Sequence, residues 1–358
     1  MKIVLILLEI IGLLSNQAWS QDVYKRFHVE QGSGPITRTG NLGGSCDGVD
    51  VEKGFDIAKV YREAIDMASV ALKALDNYDS DATVRSNLFT WFGIEENVAT
   101  HTVAASSVDR FNTVQENYAE LVEQSEQEDD GAEARIFCSE KWRWKTRWVY
   151  NEETGEKTGQ LLKVNPNFDS EWDYWSPRFK SYSGDRVMCG PTTFGFTSFE
   201  ERSSITFCPL SFQWASRKHS LSEWRSGERT IPQGKNMQFM VSTPGILLHE
   251  LMHMWSGAED QSFIDPHDQK SKKAYGAVLT GELASVDPDK AADNADNFMW
   301  FAIASYLSQY DWSRVVSASR TRVAGTTSRS VFRKRTHRRH NSHHSHHFAN
   351  IEAWGDDM

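Results

Sequence analysis

The stretch Ile246-Leu247-Leu248-His249-Glu250-Leu251-Met252-His253-Met254-Trp255 sets two histidines four residues apart inside an apolar run. A run of this length reads as a buried helix, and on a helix positions i and i+4 lie one turn apart on the same face. Two neutral imidazole nitrogens so placed can share one Zn²⁺ at about 2.0 to 2.1 Å. Glu250 follows His249 directly and can approach a water at the open position of such a metal, the place of a general base. The spacing therefore points to a folded domain in which this helix lies at a metal centre.

The rest of the chain can supply that domain. Its 358 residues are 39% hydrophobic and 12% aromatic, with 13 Trp, enough for a sizeable core and too apolar for disorder throughout. The net charge of −10 is unevenly spread: residues 314–347 hold nine Lys/Arg and six of the 12 His with no acid. Setting aside those nine cations and the three acids of residues 348–358 leaves residues 1–313 at −16. A body that acidic is ill suited to gripping phosphates, and no nucleic-acid partner is expected.

Residues 1–20 read as a secretory signal: Lys2, the apolar run Ile3 to Leu14, then Ala18-Trp19-Ser20 before a cut near Gln21. Glu9 interrupts the run, which is short for a span of about 20 residues. A secreted, extracellular protein with no membrane attachment after cleavage is expected, and its four Cys can then form two disulfides in any of three pairings.

Residues 21–45 are a Gly-rich lead-in, and 46–312 form the main domain. Ile57, Val60, Tyr61, Ala64, Ile65, Ala68, Ala71 and Leu72 predict an amphipathic helix, as do Phe111, Val114, Tyr118 and Leu121. The acidic run Glu123 to Asp130 reads as a solvated loop. Trp142, Trp144 and Trp148 alternate with Lys141, Arg143, Lys145 and Arg147, which predicts a β-hairpin with one basic face within a Trp-rich segment, 139–188. Ile205 to Cys208 reads as a strand, and residues 313–358 as a disordered basic, His-rich tail.

Two histidines need a third protein ligand. Glu259, Asp260, Asp265 and Asp268 are the nearest downstream oxygen donors, and a thermolysin-like arrangement would use Glu282. Spacing leaves these open. The series Ala274-Tyr275-Gly276, Asp287-Pro288-Asp289-Lys290-Ala291 and Asn294-Ala295-Asp296-Asn297, with Thr90-Trp91-Phe92-Gly93 upstream, resembles the fungal aspzincin metalloendopeptidases: deuterolysin and, more closely, the peptidyl-Lys metalloendopeptidases. The likeness runs from about Cys46 to Leu307.

The resemblance implies a zincin-type fold, α+β and mainly helical, with a small β-sheet and the HExxH motif on the active-site helix. It implies one Zn²⁺ held by His249 and His253, Glu250 as general base and Tyr275 as donor to the developing oxyanion. It places Asp296 in the pocket that receives a basic P1′ side chain, and it implies the pairs Cys46–Cys138 and Cys189–Cys208. Two positions depart from the family. Lys272 stands where the family has its third ligand, an Asp, and the interval from His253 to Tyr275 is lengthened; Asp265 is then the expected ligand, with Asp268 the second choice. Met299 stands in place of a Glu that helps hold lysine, so strict lysine specificity is not expected.

The expected function is that of a secreted, monomeric zinc endopeptidase acting on protein or peptide substrates. The alternative, motivated by Lys272, is a non-catalytic secreted binding protein on the same scaffold.

Overall fold

A computed structural model of the chain describes residues 23–30, 46, 56–127, 134–162, 173–176, 179–182, 187–199, 203–213, 220–313 and 318–319. The chain divides into two compact units, Met1–Arg320 and Thr321–Met358, and every described residue lies in the first. The expected signal sequence, residues 1–20, and the expected tail beyond Ser319 fall outside the described residues. Among the described residues, no helix is long and apolar enough to cross a membrane.

Six helices build the body: α1 (Ile57–Leu75), α2 (Ala82–Phe92), α3 (Val108–Glu126), α4 (Thr243–Leu251), α5 (Gly276–Val286) and α6 (Ala295–Tyr306). Asp56 starts α1 by accepting from Ala58 N and Lys59 N, and the helix buries the 57–60–61–64–65–68–71 stripe. The acidic run read as a loop is helical through Glu126, because α3 still buries Leu121 and Ser125 while Glu123 and Glu126 ride its exposed face. Every residue of α6 is buried, so this helix has no solvent face. It packs against α1, α4 and α2, with Trp300 stacked on Trp91 at 6.1 Å between ring centroids and Phe298 edge-on to Phe92 at 5.1 Å.

A four-stranded sheet lies beside this core, in the order β1 (His28–Val29), β2 (Arg135–Phe137), β4 (Ser204–Phe207) and β3 (Gly195–Ser198). β1 and β4 both run parallel to β2, and β3 pairs antiparallel with β4, Gly195 opposite Phe207. Part of the predicted lead-in therefore belongs to the core: Val23 and Phe27 are buried, and residues 28–29 add the β1 edge. Disulfides join Cys46 to Cys138, across 92 positions, and Cys189 to Cys208.

The Trp-rich segment differs from the single basic-faced hairpin expected. Trp144–Thr146 pairs with Asp173–Ser176, whereas Trp148–Tyr150 forms a separate hairpin with Lys157–Leu161. Arg143 is buried, its guanidinium over Tyr174 at 4.7 Å and near Trp142 and Phe196 at 5.7 and 5.8 Å. Aromatic packing thus claims a cation that alternation alone would leave in water. Trp142 stacks on Phe137 and donates to Thr206 Oγ1 at 3.0 Å, which fastens the segment to the sheet.

Candidate metal centre

The site forms where α4 meets the β3 edge and the N-terminus of α6. Ser242 caps α4 by accepting from Gly245 N, and Pro244 sits in the first turn, where no N–H is needed. After Leu251 the helix loosens into a π-helical turn, Met252–Ser256, closed by Gly257 in the left-handed region at φ 73°. Such turns cluster at functional sites. Here the turn carries the second histidine, and the reversal at Gly257 brings the following residues back along the helix end.

That reversal delivers the third donor. His249 Nε2 and His253 Nε2 lie 3.0 Å apart, and Asp260 Oδ1 is 3.4 Å from the first and 3.3 Å from the second. The opposite ring nitrogens face acceptors: His253 Nδ1 donates to Ala258 O at 2.6 Å, and His249 Nδ1 lies 2.9 Å from Asp296 Oδ1, off the direct N–H line. Protons held at both Nδ1 positions leave both Nε2 lone pairs pointing at each other and at Asp260 Oδ1, a buried oxygen with no hydrogen-bond donor. Three lone-pair donors converging on one point repel unless a proton or a metal cation lies between them, and two imidazoles with one carboxylate form a zinc donor set.

The local field favours positive charge. Burial by itself would depress the His249 pKa, but the carboxylates of Asp260 and Asp296 overcome that cost and hold it well above the ordinary histidine value. Burial would likewise raise Asp260, yet His249 and His253 outweigh it and hold this carboxyl far below the usual range. Tyr275 Oη donates to Asp260 Oδ2 at 2.6 Å; burial first, and then this carboxylate, push its pKa up, so the phenol stays protonated.

Glu250 faces the sheet. Its carboxylate is 3% exposed, Oε2 accepts from Thr197 Oγ1 at 2.8 Å, and the same hydroxyl lies 3.1 Å from Glu250 O. A side chain at Gly195, two residues before Thr197 on the same strand face, would place its Cβ 3.0 Å from Oε1, so glycine is needed for the close approach. Burial raises the Glu250 pKa against the opposing pull of His249, His253 and Thr197, which brings it toward the range that suits a base at neutral pH.

The structure brings together His249, Glu250, His253, Tyr275 and Asp296, and the acid it sets beside the two imidazoles is Asp260 rather than the expected Asp265. Asp265 pairs with Lys272 and accepts from His267 N at 2.7 Å, while Asp268 lies 3.4 Å from the same lysine. These residues belong to a hairpin of β5 (Ser262–Ile264) and β6 (Ser271–Lys273), where residues 266–268, opened by Pro266, form the turn. Lys272, which motivated the non-catalytic alternative, is thus occupied at the hairpin. Glu282 lies on α5 outside the donor cluster. Asp296, expected to receive a substrate cation, has Oδ1 against His249 and Oδ2 accepting from Gly276 N at 2.7 Å. Thr197 had no sequence signal as a site residue, and Asn294 appeared only within the Asn-Ala-Asp series that carries the resemblance, with no role attached. Asp260 did have a signal, an acid three residues past a helix-ending glycine.

No family model matches the chain, and no curated protein matches it. Among solved structures, a zinc peptidase from Grifola frondosa matches with a TM-score of 0.32 and 17% sequence identity, covering 68% of this chain and 90% of that one.

Proposed function

We propose that the protein is a secreted zinc-dependent peptidase in which His249, His253 and Asp260 hold the ion. The convergence of two imidazole Nε2 atoms and the donor-free Asp260 Oδ1, beside a buried glutamate, carries this reading. When bound, zinc supplies Lewis-acid polarisation of a peptide carbonyl and lowers the pKa of a water toward neutrality. Glu250 accepts that water's proton and delivers it to the leaving amine. Tyr275, protonated and exposed at the rim, donates to the carbonyl oxygen as it gains charge, releasing its bond to Asp260. Asp296 orients the His249 ring. With Oδ2 bonded to Gly276 N and Oδ1 set against the His249 ring, Asp296 leaves any preference for basic P1′ residues to another carboxylate. The two disulfides fit the oxidising environment of an exported protein.

The test combines zinc content with hydrolysis of an unstructured protein such as casein, with and without chelator. Wild type should carry about one zinc and lose activity on chelation. Glu250→Gln should keep the metal and lose activity by at least about a hundredfold. Asp260→Ala should lose zinc, whereas Asp265→Ala should retain it. Zinc retained in Asp260→Ala and lost in Asp265→Ala would reverse the ligand assignment.

A further inference from the structure

The hairpin between Asp260 and Tyr275 poses a placement problem. The two residues are 15 apart in sequence, yet Tyr275 Oη and Asp260 Oδ2 meet at 2.6 Å. Both ends of the intervening segment are closed by one side chain, Asn294, which is 1% exposed. Its Oδ1 accepts from Gln261 N at 2.8 Å, and its Nδ2 donates to Ala274 O at 3.3 Å. Gln261 directly follows Asp260, and Ala274 directly precedes Tyr275. Ala274 N also donates to Gln261 O at 3.0 Å, so the segment is pinched at its base.

The clamp is itself held rigidly. Nδ2 of Asn294 also donates to Asn297 Oδ1 at 2.6 Å, and Asn297 Nδ2 reaches Thr280 O on α5 and Trp91 O on α2. Alongside, Glu259 N donates to Asp293 O at 2.8 Å and Ala295 N to Glu259 O at 2.9 Å. The chemistry of position 294 is narrow. One partner is an N–H and the other a C=O, so the side chain must offer an acceptor and a donor at once, which a carboxamide does and a carboxylate cannot.

We infer that Asn294 is a positioning residue for the metal centre: its carboxamide clamps the hairpin base and so fixes Asp260, and Tyr275 with it, against the two imidazoles. The inference rests on the His249–His253–Asp260 reading above. A hairpin closed at its base by one buried amide can change length at its tip without moving either flank.

Two variants test it. Asn294→Asp keeps an acceptor for Gln261 N but turns a carboxylate oxygen toward Ala274 O and Asn297 Oδ1; Asn294→Ala removes all three side-chain bonds without adding charge and serves if the first does not fold. Zinc affinity is measured by competition with a chelator, and melting temperature with zinc and with chelator. Both variants should bind zinc at least about tenfold more weakly than wild type, as supporting residues of metal sites do. The rise in melting temperature on adding zinc should shrink accordingly. Wild-type zinc affinity with a lowered melting temperature in chelator would make Asn294 a purely structural residue and overturn the inference. Wild type that binds no zinc would instead remove the metal reading, and this inference with it.

Discussion

At the scale of single residues, Thr197 offers one hydroxyl to two oxygens of the same glutamate, Oε2 at 2.8 Å and the main-chain oxygen at 3.1 Å. A buried carboxylate with a donor fixed on one oxygen points its other oxygen in a set direction, which is what a base must do. A hydrogen bond to a charged group contributes about 1.5–3 kcal/mol, so Thr197→Val should lower kcat roughly ten- to a hundredfold. KM and zinc content should stay near wild type, and Thr197→Ser should restore most of the rate. A loss in the serine variant with little loss in the valine variant would mean that the methyl packing, not the hydroxyl, matters. The histidines and Glu250 were legible in sequence because their spacing is local to one helix. Thr197 was not, since it meets Glu250 from 53 positions away across the sheet edge.

At the scale of elements, Glu63 links α1 to the short helix Leu221–Ser226. It is buried, bonds Ser220 Oγ, and accepts from Ser222 N at 3.0 Å at that helix's N-terminus. Burial raises its pKa above 4.5 despite those bonds. A carboxyl raised in the folded state contributes stability that is complete below its unfolded pKa and is lost as pH rises through the folded value. The melting-temperature advantage of wild type over Glu63→Gln should therefore be largest in acid below the unfolded value and shrink as pH climbs through the raised one. An advantage that grows with pH would show that the carboxylate, not the acid, is the favoured form. The same scale explains two departures from expectation. Period-2 alternation at 141–148 promised one hairpin, but burial of Trp142 and Arg143 against β3 and β4 split it between two sheets. The acids at 123–126 promised a loop, but one more buried turn of α3 outweighed their preference for solvent.

At the scale of the whole molecule, the Cys46–Cys138 bridge staples the N-terminal segment to the sheet. Its neighbours strengthen the join: Cys46 N donates to Glu30 O at 2.8 Å, and Glu30 pairs with Arg135 at 2.7 Å. Closing a separation of 92 removes unfolded-state entropy worth about 4–5 kcal/mol in the chain-entropy picture. Urea unfolding of the Cys46→Ser/Cys138→Ser variant should show a loss of that order; a loss under about 1 kcal/mol would mean that the β1 edge holds without the staple.

The sequence by itself determined the α1 stripe, the buried α4 helix with its first imidazole and adjacent base and the second imidazole one turn further on, and an α+β chain rich in helix, because each is a periodicity read over a few turns. The tertiary structure decided what meets those imidazoles. Asp260 and Asp265 are both acids soon after His253, and nothing local separates them. The left-handed reversal at Gly257, the alignment of Glu259 with Asn294 and the Asn294 amide direct one carboxylate to the rings, while Lys272 claims the other across a hairpin. Those bonds span up to 36 positions, and a choice between near neighbours made by distant partners leaves no periodic trace.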